Sequence, residues 1–351
     1  MLDTTLLLIL SQLGMTLYPL LIKIVPTNLE TQTAIRFITY SILALLGAFI
    51  SDKSVLSYSI LEYTGFGLIN LIHVVASYVC FRLLSSGVSY TLFYTYPIFN
   101  VLGRMLFYGE RISPMNFIYI GIAFLGVYIL TQGNNIESLT SIPVLLDTTT
   151  NSSTKSTSIT SAKSSQTNQF QSFLESNPLL IGAIAGILSA ITESIMYLLV
   201  KDAPPATSAF QQISRFYLLG GVLGIIFLIY TILSKPSGIT IQSTPSIDKN
   251  TYTHNTNERN TFFSLDTLDF QLSWKPILKI ILFNALVGFI GYTVVFYIIP
   301  RTGTLQFNTF IFLGIIFSYM WGYILNGETI PARNMLGSLL ILFAIAMVNR
   351  K

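Results

Sequence analysis

A helix of about twenty apolar residues rises about 30 Å, enough to cross the hydrocarbon of a bilayer, and this chain is built of such runs. From Phe81 to Leu130 it reads FRLLSSGVSYTLFYTYPIFNVLGRMLFYGERISPMNFIYIGIAFLGVYIL, two runs around a polar joint, Gly109-Glu110-Arg111, with Pro114 just beyond. The same order returns from Tyr297 to Val348, where Gly327-Glu328-Thr329 and Pro331 precede a final run. Backbone in hydrocarbon must satisfy its own hydrogen bonds, so runs of this kind become helices. Charged residues make up only 10% of the chain, against roughly 25% in a soluble domain, too few to cover a water-facing surface. The predicted class is an all-α, polytopic membrane protein.

Apolar runs cover 6–25, 33–50, 65–84, 88–108 and 115–131, then 179–200, 209–233, 277–299, 305–325 and 335–348. That makes ten predicted transmembrane helices. No basic leader precedes the first run and no small-residue cleavage site follows it, so it reads as a span and not as a signal peptide. Ser11, Gln12, Gly14 and Thr16 make this span polar, which suits the inside of a bundle. Residues 133–177 are rich in Ser, Thr and Asn and predict a disordered linker, because they have little to bury against the entropy of ordering. A second polar insertion covers 234–275. The domain organisation is thus a five-helix repeat at 1–132, the linker, and a second repeat at 178–351.

The duplication is legible residue by residue. Ser11, Thr16, Lys23 and Pro26, followed by Arg36-Phe37, match Ser189, Ser194, Lys201 and Pro204, followed by Arg215-Phe216. Ser86-Gly87 echoes Thr302-Gly303, and Gly109-Glu110 echoes Gly327-Glu328. Since five is odd, the second copy crosses the membrane in the opposite sense, giving inverted repeats about an axis in the membrane plane. Secondary transporters use that architecture.

The segments YGERISPMNFIYIGIAFLGVYI, NGETIPARNMLGSLLILFAIAMV and GYTVVFYIIPRTGT resemble the drug/metabolite transporter superfamily, in particular its EamA-like members. The resemblance covers nearly everything but the two insertions. It implies a carrier that moves small metabolites by alternating access, with both termini cytoplasmic. Basic residues in the short joints and termini favour that orientation eight to four, while counting the insertions reverses the ratio to eight against eleven. Short loops carry most weight in the positive-inside rule. The sequon Asn151-Ser152-Ser153 fits a linker on the lumenal or external face.

Candidate functional residues follow from the cost of polarity in hydrocarbon. Glu193 sits mid-span in ILSAITESIMYLL, where a carboxylate costs a few kcal/mol to insert and normally turns inward. It fits a proton-coupling site, a counter-charge for a substrate amine or cation, or an ion pair fixing the bundle. A protonated Glu193 bonded to Ser189, Thr192 or Ser194 is the structural alternative. The duplication puts Met15 at the matching position, so the halves differ here. Arg36 and Arg215 open the second and seventh spans, and helical spacing lets Gln211 share the face of Arg215. A guanidinium there can hold a phosphate or carboxylate bidentately or reach out to head groups. Lys23 and Lys201 read as interfacial.

Tyr90, Tyr94 and Tyr96, with Pro97, predict a polar-aromatic face and a kink in the fourth span; the face serves a cavity or packing. Gln306 and Asn308 are its counterparts on the ninth span, lining a cavity or solvated at the interface. His73, beside Asn70, is a proton relay or a core histidine. Glu110 and Glu328 read as caps of the helices that follow them. Gly182-x-x-x-Gly186 and Gly220-x-x-x-Gly224 permit close helix contact, inside the fold or between the protomers of a homodimer.

The expected function is secondary-active transport of small polar metabolites, with proton coupling and exchange both open. The alternative is a non-transporting membrane scaffold or regulator whose insertions dock partners. A membrane-embedded enzyme would need more intramembrane acids and histidines than Glu193 and His73, so no enzyme is expected. The single cysteine, Cys80, excludes an intrachain disulfide and a Cys-rich metal site. No cofactor or metal motif is present. The expected partners are a small-molecule substrate and the lipid bilayer of the plasma membrane or an endomembrane. The small positive charge suits membrane flanks and predicts no nucleic-acid partner.

Overall fold

A computed structural model describes residues 4–25, 27–51, 58–132, 177–201, 207–234 and 274–348. The linker at 133–176 with its Asn151 sequon and the insertion at 235–273 lie outside the described residues, as do the side chains at 201, 232, 234 and 300–312. The described residues are helical, without a strand. The first half contains α1 (Thr4–Met15), α2 (Tyr18–Ile24), α3 (Leu29–Ile50), α4 (Ile60–Leu83), α5 (Ser86–Phe93), α6 (Tyr96–Tyr108) and α7 (Pro114–Thr131). The second contains α8 (Pro178–Lys201), α9 (Ala209–Ser234), α10 (Trp274–Phe283), a π-helical turn at Asn284–Phe289, α11 (Ile290–Asn326) and α12 (Ala332–Val348).

Among the described residues, seven stretches are long and apolar enough to cross a bilayer: Thr5–Ile24, Leu29–Ile50, Ile60–Leu83, Pro114–Thr131, Pro178–Val200, Ala209–Thr231 and Trp274–Ile299. The other predicted spans take different forms. The fourth is divided between α5 and α6. The eighth and ninth run together through α11, whose 37 residues extend about 55 Å. The apolar stretches Leu313–Asn326 and Ala332–Val348 are shorter. Outward faces are apolar: Ile60 and Leu61 are 82% and 79% exposed, a surface that suits lipid and not water.

Two prolines shape the first half. A proline ring collides with the carbonyl four residues back. Pro97 does this to Phe93, where α5 ends, and Pro19 does it to Met15, where α1 ends. The kink expected at Pro97 is present. The break at Pro19 has the same cause and was not anticipated. At the polar joints, Gly109 and Gly327 take φ of 66° and 62°, left-handed conformations that a Cβ would strain.

Helices of the two halves pack on one another. α3 lies along α9, α7 along α12, α4 along α8, and α1 along α11. Between helices in lipid, close packing and polar contacts supply the attraction that the hydrophobic effect supplies in water. The Gly220 stripe serves the α3–α9 contact: a Cβ on Gly220 would fall 2.2 Å from the Phe37 ring. The Gly182 stripe likewise meets Leu84 and Cys80. Both stripes are thus used inside the fold.

The joint glutamates depart from the expected capping of their following helices. Glu110 pairs with Arg104 at an exposed position, 2.6 Å away. Glu328 reaches across the bundle: its carboxylate accepts from the Ser86 backbone N–H (2.6 Å) and hydroxyl (2.8 Å) at the start of α5, and pairs with Lys23 at 2.6 Å. It satisfies a helix N-terminus, but one belonging to the other half. Lys23 is accordingly an ion-pair partner and not simply interfacial. A second bridge between the halves, Arg215 to Glu62 at 3.0 Å, opens α4. The 22 residues of α3, about 33 Å of helix, separate Lys23 from Glu62, so the two bridges hold opposite ends of the bundle.

Glu328→Ala would leave Lys23 and the Ser86 N–H without their acceptor. Removing one partner of a buried pair costs about 3–5 kcal/mol, which should appear as a lower Tm in detergent. Burial works to raise the Glu328 pKa, but Lys23, with the Ser86 and Asn326 hydrogen bonds, outweighs it and holds the carboxyl below the usual range. A group depressed on folding stabilises above its unfolded value, about 4.3 for Glu, and loses that contribution as pH falls through the folded value. The Tm gap between wild type and Glu328→Gln should therefore stay constant from about pH 8 to about pH 5 and close on further acidification.

Candidate functional site

The polar side chains that cannot face lipid collect in one buried cluster where the halves meet. α8 brings Glu193 and α4 brings His73, 0% and 1% exposed, and His73 Nε2 lies 3.3 Å from Glu193 Oε2. The other ring nitrogen, Nδ1, faces the Ser189 carbonyl at 3.1 Å, with the Ser189 and Thr192 hydroxyls at 3.3 and 3.4 Å. A carbonyl can only accept, so Nδ1 carries a proton. In the neutral ring this leaves Nε2 as a lone pair directed at the carboxyl group. One further proton then makes the contact attractive, as a carboxylic acid donating to the ring or as an imidazolium beside a carboxylate.

The hydroxyls expected to satisfy Glu193 are engaged elsewhere. Ser189 and Thr192 turn to His73, and Ser194 donates to Asn100 Oδ1 at 2.8 Å. Tyr197 lies beside Glu193, yet neither carboxylate oxygen has a well-formed hydrogen bond. His73 Nε2, at 3.3 Å, is a close polar contact of Glu193, made by a histidine buried in the core. Met15, the residue that the sequence pattern matches to Glu193, is buried at 6% exposure.

Arg36, 3% exposed, sits in a box of tyrosines. Its guanidinium carbon lies 4.6 Å from the Tyr18 ring, 5.3 Å from Tyr40, 5.5 Å from Tyr78, 6.0 Å from Tyr217 and 5.4 Å from Tyr292. It donates to the Tyr217 hydroxyl at 3.0 Å. No carboxylate is within ion-pair distance of it among the described residues, although its charge reaches Glu193 and His73. It is therefore a core residue and does not reach out to head groups. Tyr40 shares its helix face at i+4 and was legible in the sequence; Tyr18, Tyr78, Tyr217 and Tyr292 arrive from other spans and carried no signal.

The break in the fourth span turns its tyrosines into the same cluster. Tyr96 packs edge-on against Tyr197 with ring centroids 4.9 Å apart, Phe93 lies 5.6 Å from the His73 ring, and Tyr90 stacks on Phe81 at 5.7 Å. The Tyr94 hydroxyl donates to Gln12 Oε1, which brings the polar first span inward. Arg215 and Gln211 are placed differently. Arg215 lies over the Phe66 ring at 3.6 Å beside its partner Glu62, while Gln211 and Ser208 bond each other's backbone N–H at the start of α9. These two groups belong to the end of the bundle and do not join Glu193. The side chains of Gln306 and Asn308 lie outside the described residues.

A solved structure titled "Crystal structure of protein" aligns with TM-score 0.49 and 13% identity, over 98% of this chain and 95% of that one. No curated protein matches the chain. Seven candidate spans and a buried polar core describe an integral, multi-pass membrane protein. Residues 4–132 match the model of the EamA-like transporter family, and over that segment the chain is similar to this family.

Proposed function

We propose that the protein is a secondary carrier that moves small polar metabolites by alternating access, coupled to a proton held between Glu193 and His73. The observation that carries this reading is the 3.3 Å contact of two fully buried titratable groups donated by different halves of the chain. Intramembrane acid–histidine contacts of this kind suit proton relays. The groups around Glu193 are His73 from α4, Tyr94 between α5 and α6, Tyr96 from α6, Tyr197 from α8, Tyr217 from α9, Tyr292 from α11 and Arg36 from α3.

Alternating access is supported by the way the halves pack. In a chain of two inverted five-span repeats, the second span relates to the seventh and the fifth to the tenth. Those are the contacts α3–α9 and α7–α12. The same relation exchanges the third-with-sixth contact (α4–α8) for the eighth-with-first contact (α11–α1). The bridges Lys23–Glu328 and Arg215–Glu62 tie the halves at opposite ends. Rocking one half against the other breaks one bridge at a time, opening the core to one side and then the other.

Exchange in proteoliposomes loaded with a pooled metabolite extract, read by mass spectrometry, tests the proposal. Wild type should show selective, saturable exchange that changes between two pH values. Glu193→Gln keeps the shape of the side chain but removes its titration. A hydrogen bond to a charged group is worth about 1.5–3 kcal/mol, so flux should fall about tenfold or more, and the residual flux should be indifferent to pH. A folded, inserted wild type that moves no compound overturns the carrier reading. A Glu193→Gln protein with full flux and an unchanged pH response overturns the coupling site.

A further inference from the structure

The tyrosine box around Arg36 holds more donors than acceptors. The Arg36 Nε–H and the Asn284 side-chain amide are buried without a hydrogen-bond partner. The Tyr78 hydroxyl rests against the guanidinium and its proton has no acceptor. All three belong to one connected group. The Tyr18 hydroxyl bonds Tyr40 at 2.7 Å and donates to Asn284 Oδ1 at 2.8 Å, and both of those rings face the Arg36 guanidinium. Asn284 is carried on the π-helical turn between α10 and α11, an irregularity found at functional sites more often than elsewhere in helices. On the same turn, Gly288 lets the hydroxyls of Tyr18 and Tyr40 approach the backbone: a Cβ there would lie 1.9 Å from the first and 2.3 Å from the second.

A buried guanidinium without a counter-ion, flanked by unused donors, is an expensive arrangement in hydrocarbon. Ring faces stabilise it only in part. An anion arriving from outside would use every idle group at once: the guanidinium fork presents donors in the geometry of a carboxylate, and the amide and phenol supply two more. We propose that this box is the binding site for the anionic end of the transported substrate, and that the substrate is a small monocarboxylate with an apolar or aromatic body. This rests on the carrier reading above.

The charge count selects among anions. Among the described residues Arg36 is the one cation in the box, which balances a single negative charge and leaves a doubly charged phosphate uncompensated. The five tyrosine rings suit an apolar body stacked beside the carboxylate. A substrate amine would meet Arg36 as a like charge, and among the described residues no carboxylate stands within ion-pair distance of Arg36 to offset it.

Binding of benzoate, inorganic phosphate and benzylamine to the full chain in nanodiscs, at equal ionic strength, provides the test. Benzoate should raise the Tm saturably while phosphate and benzylamine do not. Arg36→Gln should abolish the benzoate effect, and Arg104→Gln, at an exposed pair, should keep it. Because Arg36→Gln can disturb folding, Tyr78→Phe provides a milder variant, keeping the ring on Arg36 and losing only the hydroxyl. Its unliganded Tm should match wild type, with the benzoate Kd about tenfold weaker. Protection by benzylamine or phosphate in place of benzoate overturns the assignment, as does equal benzoate affinity in Tyr78→Phe. The two readings fail separately. Metabolite exchange without benzoate binding keeps the carrier and removes this site. Arg36-dependent benzoate binding without any exchange keeps the site and removes the carrier.

Discussion

Hydrocarbon offers no partner to a polar group, and the arrangement of this protein follows from that. Each helix satisfies its own peptide groups, so the problem passes to the side chains. Ser11, Asn70, His73, Glu193 and Arg36 are all nearly inaccessible, and each is turned toward another helix. Ser11 donates to the Gly291 carbonyl at 3.1 Å, and the Asn70 amide donates to the Phe216 carbonyl at 3.0 Å. Contacts of this kind average about 0.6 kcal/mol each in a membrane, so none holds the bundle alone. They set which faces meet, and close packing at glycines such as Gly220 supplies the area.

The buried charged groups Glu193 and Arg36 are handled differently. Glu193 has a titratable neighbour, so its charge can be withdrawn by moving a proton over one short contact. Arg36 cannot discharge, since a guanidinium keeps its proton at any accessible pH. It is surrounded by rings and hydroxyls that dilute its charge without cancelling it. The residues that the sequence pattern aligns with Glu193 and Arg36 do not repeat them, since Met15 stands at the position matching Glu193 and Arg215 is spent on Glu62.

Arg36 and Arg215 diverge widely in their surroundings. They occupy equivalent positions by sequence, and nothing local distinguishes them. Arg215 lies beside Glu62, whose helix start it bridges, so it became part of an end bridge. Arg36 met tyrosines from four other helical segments and stayed without a carboxylate. Glu328 tells the same story: its place after a left-handed glycine is legible, but the helix it serves lies across the bundle.

The amino-acid order by itself determined the class and the outline of this protein. Apolar runs of about the thickness of a bilayer admit only helices, Pro97 breaks the fourth of them, Gly109 and Gly327 end two, and Glu193 stands out because a mid-span carboxylate is costly. These are local effects, fixed by a residue and its near neighbours. Tertiary structure alone decided that His73 meets Glu193, that four tyrosines from other helices surround Arg36, and that Lys23 meets Glu328. Each of those contacts spans more than a hundred residues or crosses between helices whose rotation about their own axes is set by packing. No periodicity within a single helix records which partner will face it.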